Sequence, residues 1–199
     1  VTLMASPQMV AATKAAAARI GVTHFTFLYA VYAVFLSRMT GSDTVCTTFQ
    51  SAGRRTIGAS ELVQGVFSNA LLMATAVDEN ESIAALATRL KGDIREAVAH
   101  EIFPYHHVSR RTGLRGRYAI NWFPYVPEVA YDDLEVRRLD MKDNQDDDDL
   151  NVRFTHVGEE IQLHIFYKAS AFGAARVQGM ARTLLALAEA LAEDVDRPT

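Results

Sequence analysis

The sequence predicts an α/β (α+β) two-layer sandwich, helices packed on one mixed β-sheet. Three observations carry that prediction. Segments with apolar residues at helical spacing alternate with short β-branched and aromatic segments. Their order reads α, α, β, β, α, then three or four strands, then α. No internal repeat and no long linker divides the 199 residues, so residues 1–199 are read as a single domain. A chain of this length buries roughly 70% of the surface its unfolded form exposes, which supports a core without disulfides.

Ser6-Pro7 opens the first helix, a serine oxygen capping free amides and proline standing where no amide donor is needed. The Ala-rich run ends at Ile20, and Gly21 closes it. Thr23 caps a second helix over 24–39, whose aromatic and aliphatic residues nearly encircle it before Gly41, as suits the middle of a domain. Residues 44–50 read as a strand, and a loop bearing glycine and arginine leads through Gly58 to another at 69–77. Ser82 opens a helix with one apolar stripe, Ile83, Leu86, Leu90, Ile94 and Val98. Pro104 breaks it, and a shorter helix runs to about Thr112. Strands follow at 117–125, 134–141, 150–156 and 160–168, the last two joined as a hairpin through Val157-Gly158-Glu159. Ser170 is expected to cap the final helix, striped by Val177, Met180, Leu184, Leu187 and Leu191.

Composition excludes several function classes. There are 20 Lys and Arg against 24 Asp and Glu, a net charge of −4. With a pI near 5.9, neither a nucleic-acid backbone nor an anionic membrane is an expected partner. The longest apolar stretch, 25–36, falls short of the ~20 residues of a membrane helix. The single cysteine, Cys46, removes a disulfide framework and a cysteine zinc cluster. Residues 1–7 lack the layout of a signal peptide, so the expected location is cytoplasmic.

No self-sufficient catalytic constellation stands in the sequence. His106-His107 has the pairing of a general base and its positioning partner. Enzymes resembling chloramphenicol acetyltransferase use His-His-x-x-x-Asp-Gly, and here Arg111 and Thr112 occupy the Asp and Gly positions. The pair reads as two partly exposed histidines. Asp146 to Asp149, with Asp140 and Asp143, lacks the glycine and glutamate spacing of a calcium loop and reads as a solvated acidic loop. His156 and His164 fall outside any zinc spacing, and no metal site is expected. Nucleophile elbow, P-loop and dinucleotide fingerprints are absent from the sequence.

One segment is more specific. Gln64-Gly65-Val66-Phe67-Ser68-Asn69-Ala70-Leu71-Leu72 resembles the Ile-Gly-x-Phe-Val-Asn-Thr-x-x-x-Arg motif of nonribosomal peptide synthetase condensation domains, with Gly65, Phe67 and Asn69 in register. Downstream, His100-Glu101-Ile102-Phe103-Pro104-Tyr105 resembles that family's His-Gln-Asp-x-Pro-Phe motif. Residues 23–54, ending in Ala52-Gly53-Arg54, are similar to the helix, turn and strand that precede the first motif. The stretch from Asp149-Leu150 through the hairpin, Ala171-Phe172 and the last helix is similar to the end of the domain. Ala74, Ser68 and Ala70 depart from the first motif's Arg, Val and Thr, and 113–118 lacks a clear Arg-Asp-x-Ser-Arg pattern, so the subtype stays open.

The resemblance covers nearly the whole chain and implies a chloramphenicol acetyltransferase-like lobe, the C-terminal one of two, with the N-terminal lobe and its His-His-x-x-x-Asp-Gly motif outside these residues. It implies peptide (amide) bond formation between carrier-tethered thioesters, an acyltransferase reaction in secondary-metabolite or antibiotic biosynthesis. Phosphopantetheine belongs to partner carrier proteins, and no directly bound cofactor is expected. Asn69 is the residue expected to face the reaction centre, orienting substrate or the catalytic loop or satisfying turn backbone; Gln50 and Ser51 are the other tunnel candidates. Arg54 is expected to anchor a loop. Implied partners are the other lobe, carrier domains, and a second copy through the apolar surface a lobe exposes. A non-catalytic module recruiting a carrier protein or tailoring enzyme is the alternative. A trimeric coenzyme A acetyltransferase would carry its own histidine motif.

Overall fold

A computed structural model describes residues 1–54, 62–123, 148–157 and 160–199. Its elements are β1 (Thr2–Met4), α1 (Pro7–Ile20), α2 (His24–Thr40), β2 (Thr44–Ser51), β3 (Asn69–Ala76), α3 (Ile83–Ala99), α4 (Tyr105–Thr112), β4 (Tyr118–Phe123), β5 (Leu150–Val157), β6 (Glu160–Tyr167) and α5 (Ala174–Glu193). The strands form one six-stranded mixed sheet in the order β1-β6-β5-β4-β2-β3. β2 and β4 pair in parallel, as do β4 and β5; the other pairings are antiparallel. The predicted α/β sandwich is the observed one.

Local chemistry fixes the helix ends. The Ser6 hydroxyl accepts from the Met9 amide at 3.1 Å, and that of Thr23 from the Thr26 amide at 3.1 Å. Gly21 and Gly41 close α1 and α2. α2 is the centre of the core: every residue from Thr26 to Leu36 is buried. Its Tyr29 hydroxyl meets Thr47 of β2, and its Phe25 and Tyr29 rings pack on Phe49. From α5 come Val177, Met180, Leu184 and Leu191, and from the sheet Leu71, Met73, Ile120, Val152, Phe154, Leu163 and Ile165. Among the described residues no single helix is long and apolar enough to cross a membrane.

Three details differ from the sequence reading. β1 is an additional strand, pairing Thr2 with His164 and Leu3 with Leu163; three residues carry too little alternation to announce it. Gly173, rather than Ser170, is the N-cap of α5, because Lys168 to Phe172 first make a turn in which the Ala171 and Phe172 amides donate to the Lys168 carbonyl. Asp149 is buried rather than solvated, since its carboxylate pairs with Arg117. The Asp148 carboxylate accepts from Asn151 at 3.2 Å. The expected strand 134–141, the turn residues Gly158 and Glu159, and Asp140, Asp143, Asp146 and Asp147 lie outside the described residues.

Candidate functional site

Because β2 and β4 run parallel, their C-terminal ends reach the same edge of the sheet. Over that edge stand the first residues of α2 and the second half of α3, leaving a cleft of about 510 Å³. Such a strand-end crevice is where open α/β sheets place ligands. Phe25, Phe49, Ile94, Val98, Ile120 and Trp122 make it largely apolar, and Gln50, Ser51, Asn121, Lys91 and Arg95 bring polar groups. The α3 stripe explains the apolar wall. Ile83, Leu86 and Leu90 are buried in the core, whereas Ile94 and Val98, one and two turns on, are only half-buried and line the cleft.

Gln50 and Ser51, the other two tunnel candidates, both line this cleft. The Gln50 amide donates to Asn121 Oδ1 at 2.9 Å, which fixes the end of β2 against β4. The Ser51 hydroxyl donates to the Glu101 carboxylate. Glu101 is 1% exposed, and its other oxygen, Oε1, has no hydrogen-bond partner among the described residues. Ser51 pairs in register with Asn69, so all three sequence candidates sit at one end of the β2–β3 pair.

Asn69 does not line the cleft. Its Nδ2 donates to the carbonyls of Glu101 at 2.9 Å and Phe103 at 2.7 Å, and its Oδ1 accepts from the Tyr105 amide at 3.2 Å. One amide thus clasps the turn between α3 and α4 to the start of β3, joining segments that are 32 residues apart. A third segment closes on the same place. Gly53 has φ +65, and a Cβ on it would stand 1.9 Å from the Phe67 carbonyl oxygen, so Ala52-Gly53-Arg54 packs against Phe67 only with glycine there. Arg54 lies over the Phe67 ring at 4.7 Å and donates to the carbonyls of Val63 at 2.9 Å and Gly65 at 3.0 Å, the loop anchor expected of it.

The model of the condensation domain family matches residues 1–199. The chain belongs to the condensation domain family. Surfactin synthase subunit 1 of Bacillus subtilis (strain 168) is 24% identical over 189 residues, 89% of this chain and 5% of that protein. Among solved structures, the first condensation domain of the CDA synthetase superposes over all of this chain and 46% of its own, with a TM-score of 0.83 and 20% identity. The X-domain structure determined in complex with OxyB from teicoplanin biosynthesis does so over all of this chain and 46% of that one, with a TM-score of 0.86 and 18% identity. The chain therefore spans about half of these structures and a small part of the synthetase.

Within this condensation-domain fold, the histidine pair stands elsewhere. His106 and His107 are exposed on α4 with ring centroids 4.3 Å apart, and neither lines the cleft. His156 packs its ring on Trp122, while His164 hydrogen-bonds Thr2 at 3.1 Å. Among the described residues no group of three or more His, Cys, Asp or Glu could hold a metal ion. A larger concavity of about 650 Å³, near Arg38, Asp43 and Glu79, opens at the other end of β2, away from these motif segments.

Sequence reasoning passed over Glu101, Asn121, Trp122, Lys91 and Arg95. For Glu101 a signal existed, an acid where the family motif carries glutamine. The others share the cleft only because β4 lies beside β2 and α3 crosses above, a juxtaposition that no local pattern announces.

The titrations of the site's neighbours follow burial. His24, on α2 behind Trp122, is lowered to about 4, first by burial and then by Lys14 and His156. The Thr13 hydroxyl donates to the Met9 carbonyl, so His24 Nε2 donates to Thr13 at 2.8 Å, leaving Nδ1 buried without a partner among the described residues. His156 is also lowered, first by burial and then by Lys14. Both rings are neutral at pH 7 and act as packing partners of Trp122.

Proposed function

We propose that the chain is the C-terminal lobe of a condensation domain, residues 1–199, which works with a partner lobe to form an amide bond between carrier-tethered thioesters. The observation that carries the reading is the Asn69 clasp. It brings the Gly65-x-Phe67-x-Asn69 segment and the His100 to Tyr105 segment together beside Ser51, at the edge where β2 ends. The share of the condensation-domain structures that the chain covers, 46%, supports a single lobe.

In the reaction, the acceptor amine attacks the donor thioester carbonyl. A C–N bond forms, the C–S bond breaks, and the donor's phosphopantetheine leaves as a thiolate, which regains as a thiol the one proton the amine loses. The proton lost from the amine passes to the partner lobe's histidine base, since neither histidine of the 106–107 pair lines the cleft. This chain's part is positional. Asn69 spends its donors and one acceptor site on backbone, so it is a positioning residue that holds the α3–α4 turn. Gln50 and Ser51 form tunnel wall, with Glu101 fixing the Ser51 hydroxyl. Phosphopantetheine arrives on the carrier proteins, and the lobe binds no cofactor of its own.

The test is reconstitution of the chain with a condensation-domain N-terminal lobe carrying an intact His-His-x-x-x-Asp-Gly motif, using two loaded carrier proteins and mass spectrometry of the amide product. Product with both lobes and none from the chain alone is expected, because loss of a general base typically removes 10²- to 10⁴-fold. Turnover by the chain alone, abolished in His107→Ala, would overturn the reading. Tight association of lobes and carriers without product would instead favour the recruitment module.

A further inference from the structure

We propose that the cleft at the ends of β2 and β4 is a binding site for an amphipathic carboxylate, its aryl or alkyl body held between α2 and α3 and its carboxylate at Lys91 and Arg95. The inference rests on the cleft's own chemistry and not on the condensation reading. Its volume, about 510 Å³, is within the range of small-ligand pockets. Ile94 and Val98 extend a stripe whose first half is buried in the core, so they hold apolar surface that nothing among the described residues covers fully. Phe25 and Trp122 present rings to the same space.

The polar side of the cleft has one sign of charge. Lys91 and Arg95 lie one turn apart on α3, on the same face as Ile94 and Val98, and among the described residues no carboxylate lines the cleft. Lys91 Nζ donates to the Gly21 carbonyl at 2.8 Å, which holds the ammonium across from α3 to the α1–α2 turn. Arg95 is exposed and makes no hydrogen bond or ion pair with another described residue. Behind Ser51, the Glu101 carboxylate is buried and engaged by the serine hydroxyl. Thr23 and Thr26 also line the cleft, but their hydroxyls bond each other at 2.8 Å and leave that wall with little to offer a polar ligand. An apolar body with an anionic end matches this arrangement; a cation or an uncharged polar molecule does not.

Trp122 is the only tryptophan in the chain and lines the cleft, so its fluorescence reports occupancy directly. The experiment titrates 3-phenylpropanoate into the 199-residue chain at pH 7.5, where the two histidines near Trp122 are neutral, and repeats it with 3-phenylpropanamide and 3-phenylpropylamine. Saturable change in emission is expected at low-millimolar acid, with the amide and the amine each weaker by about threefold to fivefold. In Lys91→Gln/Arg95→Gln, both at exposed positions, that advantage should vanish while the amide binds as before. Val98→Phe, which fills the half-buried wall, should weaken all three ligands. No saturable change, equal binding of acid and amine, or an acid preference that survives loss of both cations would each overturn the proposal. Failure here leaves amide formation by the reconstituted lobes unaffected, so the two readings fall separately.

Discussion

Asn69 shows how much one side chain can organise. Removing its amide frees two carbonyls and one backbone amide of the α3–α4 turn, and one of those carbonyls belongs to the buried Glu101. Asn69→Ala should therefore cost about 1–3 kcal/mol, measured as a lower urea midpoint, and should lower condensation per folded molecule in reconstituted enzyme. A stability loss with normal turnover per folded molecule would reduce Asn69 to a turn residue. Tyr32 is the opposite case. Its hydroxyl is buried in the core without a partner among the described residues, and burial pushes the phenol well above its usual range, so it stays neutral. Tyr32→Phe removes an unsatisfied polar atom and should raise stability by about 1 kcal/mol, read from the same urea curves. His24 makes stability depend on pH. Its folded pKa, about 4, lies below the 6.5 of the free side chain, so between those values the unfolded chain binds more protons. Stability is intact above pH 6.5 and falls by at most about 3 kcal/mol as pH drops toward 4. Thermal melts across that window should show a steeper decline in the native chain than in His24→Gln.

At the scale of elements, the sequence was most legible where one local pattern decides the outcome. The caps Ser6, Thr23, Gly21 and Gly41 are each a residue type suited to its position, and the uniformly apolar face of α2 could belong only in a core. The α3 stripe was legible as a helix but ambiguous in meaning. Its period says which residues share a face, while the sheet edge decides that Ile94 and Val98 meet a cleft. The α5 start was misread because a serine near a helix resembles a cap even when a turn intervenes. The glycine of Ala52-Gly53-Arg54 has its reason in the Phe67 carbonyl that a Cβ would strike. Gly53→Ala should dislodge residues 62–67 from Arg54, visible as faster amide exchange there, and cost about 1–3 kcal/mol. Unchanged exchange in that segment would show that the three motif segments are not held as a unit.

For the whole molecule, the order of strands was the part the sequence could not supply. The chain's beginning pairs with β6, 162 residues away from Thr2 to His164, and the parallel β2–β4–β5 ladder is set by long crossovers. The candidate site inherits that difficulty: Gln50, Ser51 and Asn69 could be singled out by motif, whereas Asn121, Trp122 and Arg95 join them only through topology. The same fold leaves apolar side chains on the surface near the clasped motifs. Leu62 is 81% exposed, Val66 92%, Ile102 72% and Phe103 55%. Clusters of this kind mark surfaces that another molecule covers. Under the proposed lobe reading, that molecule would be the other lobe, and in its absence a second copy. Sedimentation of the chain with and without a separately expressed condensation-domain N-terminal lobe tests this most directly. The account predicts concentration-dependent self-association of the chain alone, replaced by a one-to-one complex when the other lobe is added. A strict monomer at high concentration that fails to bind that lobe would contradict it.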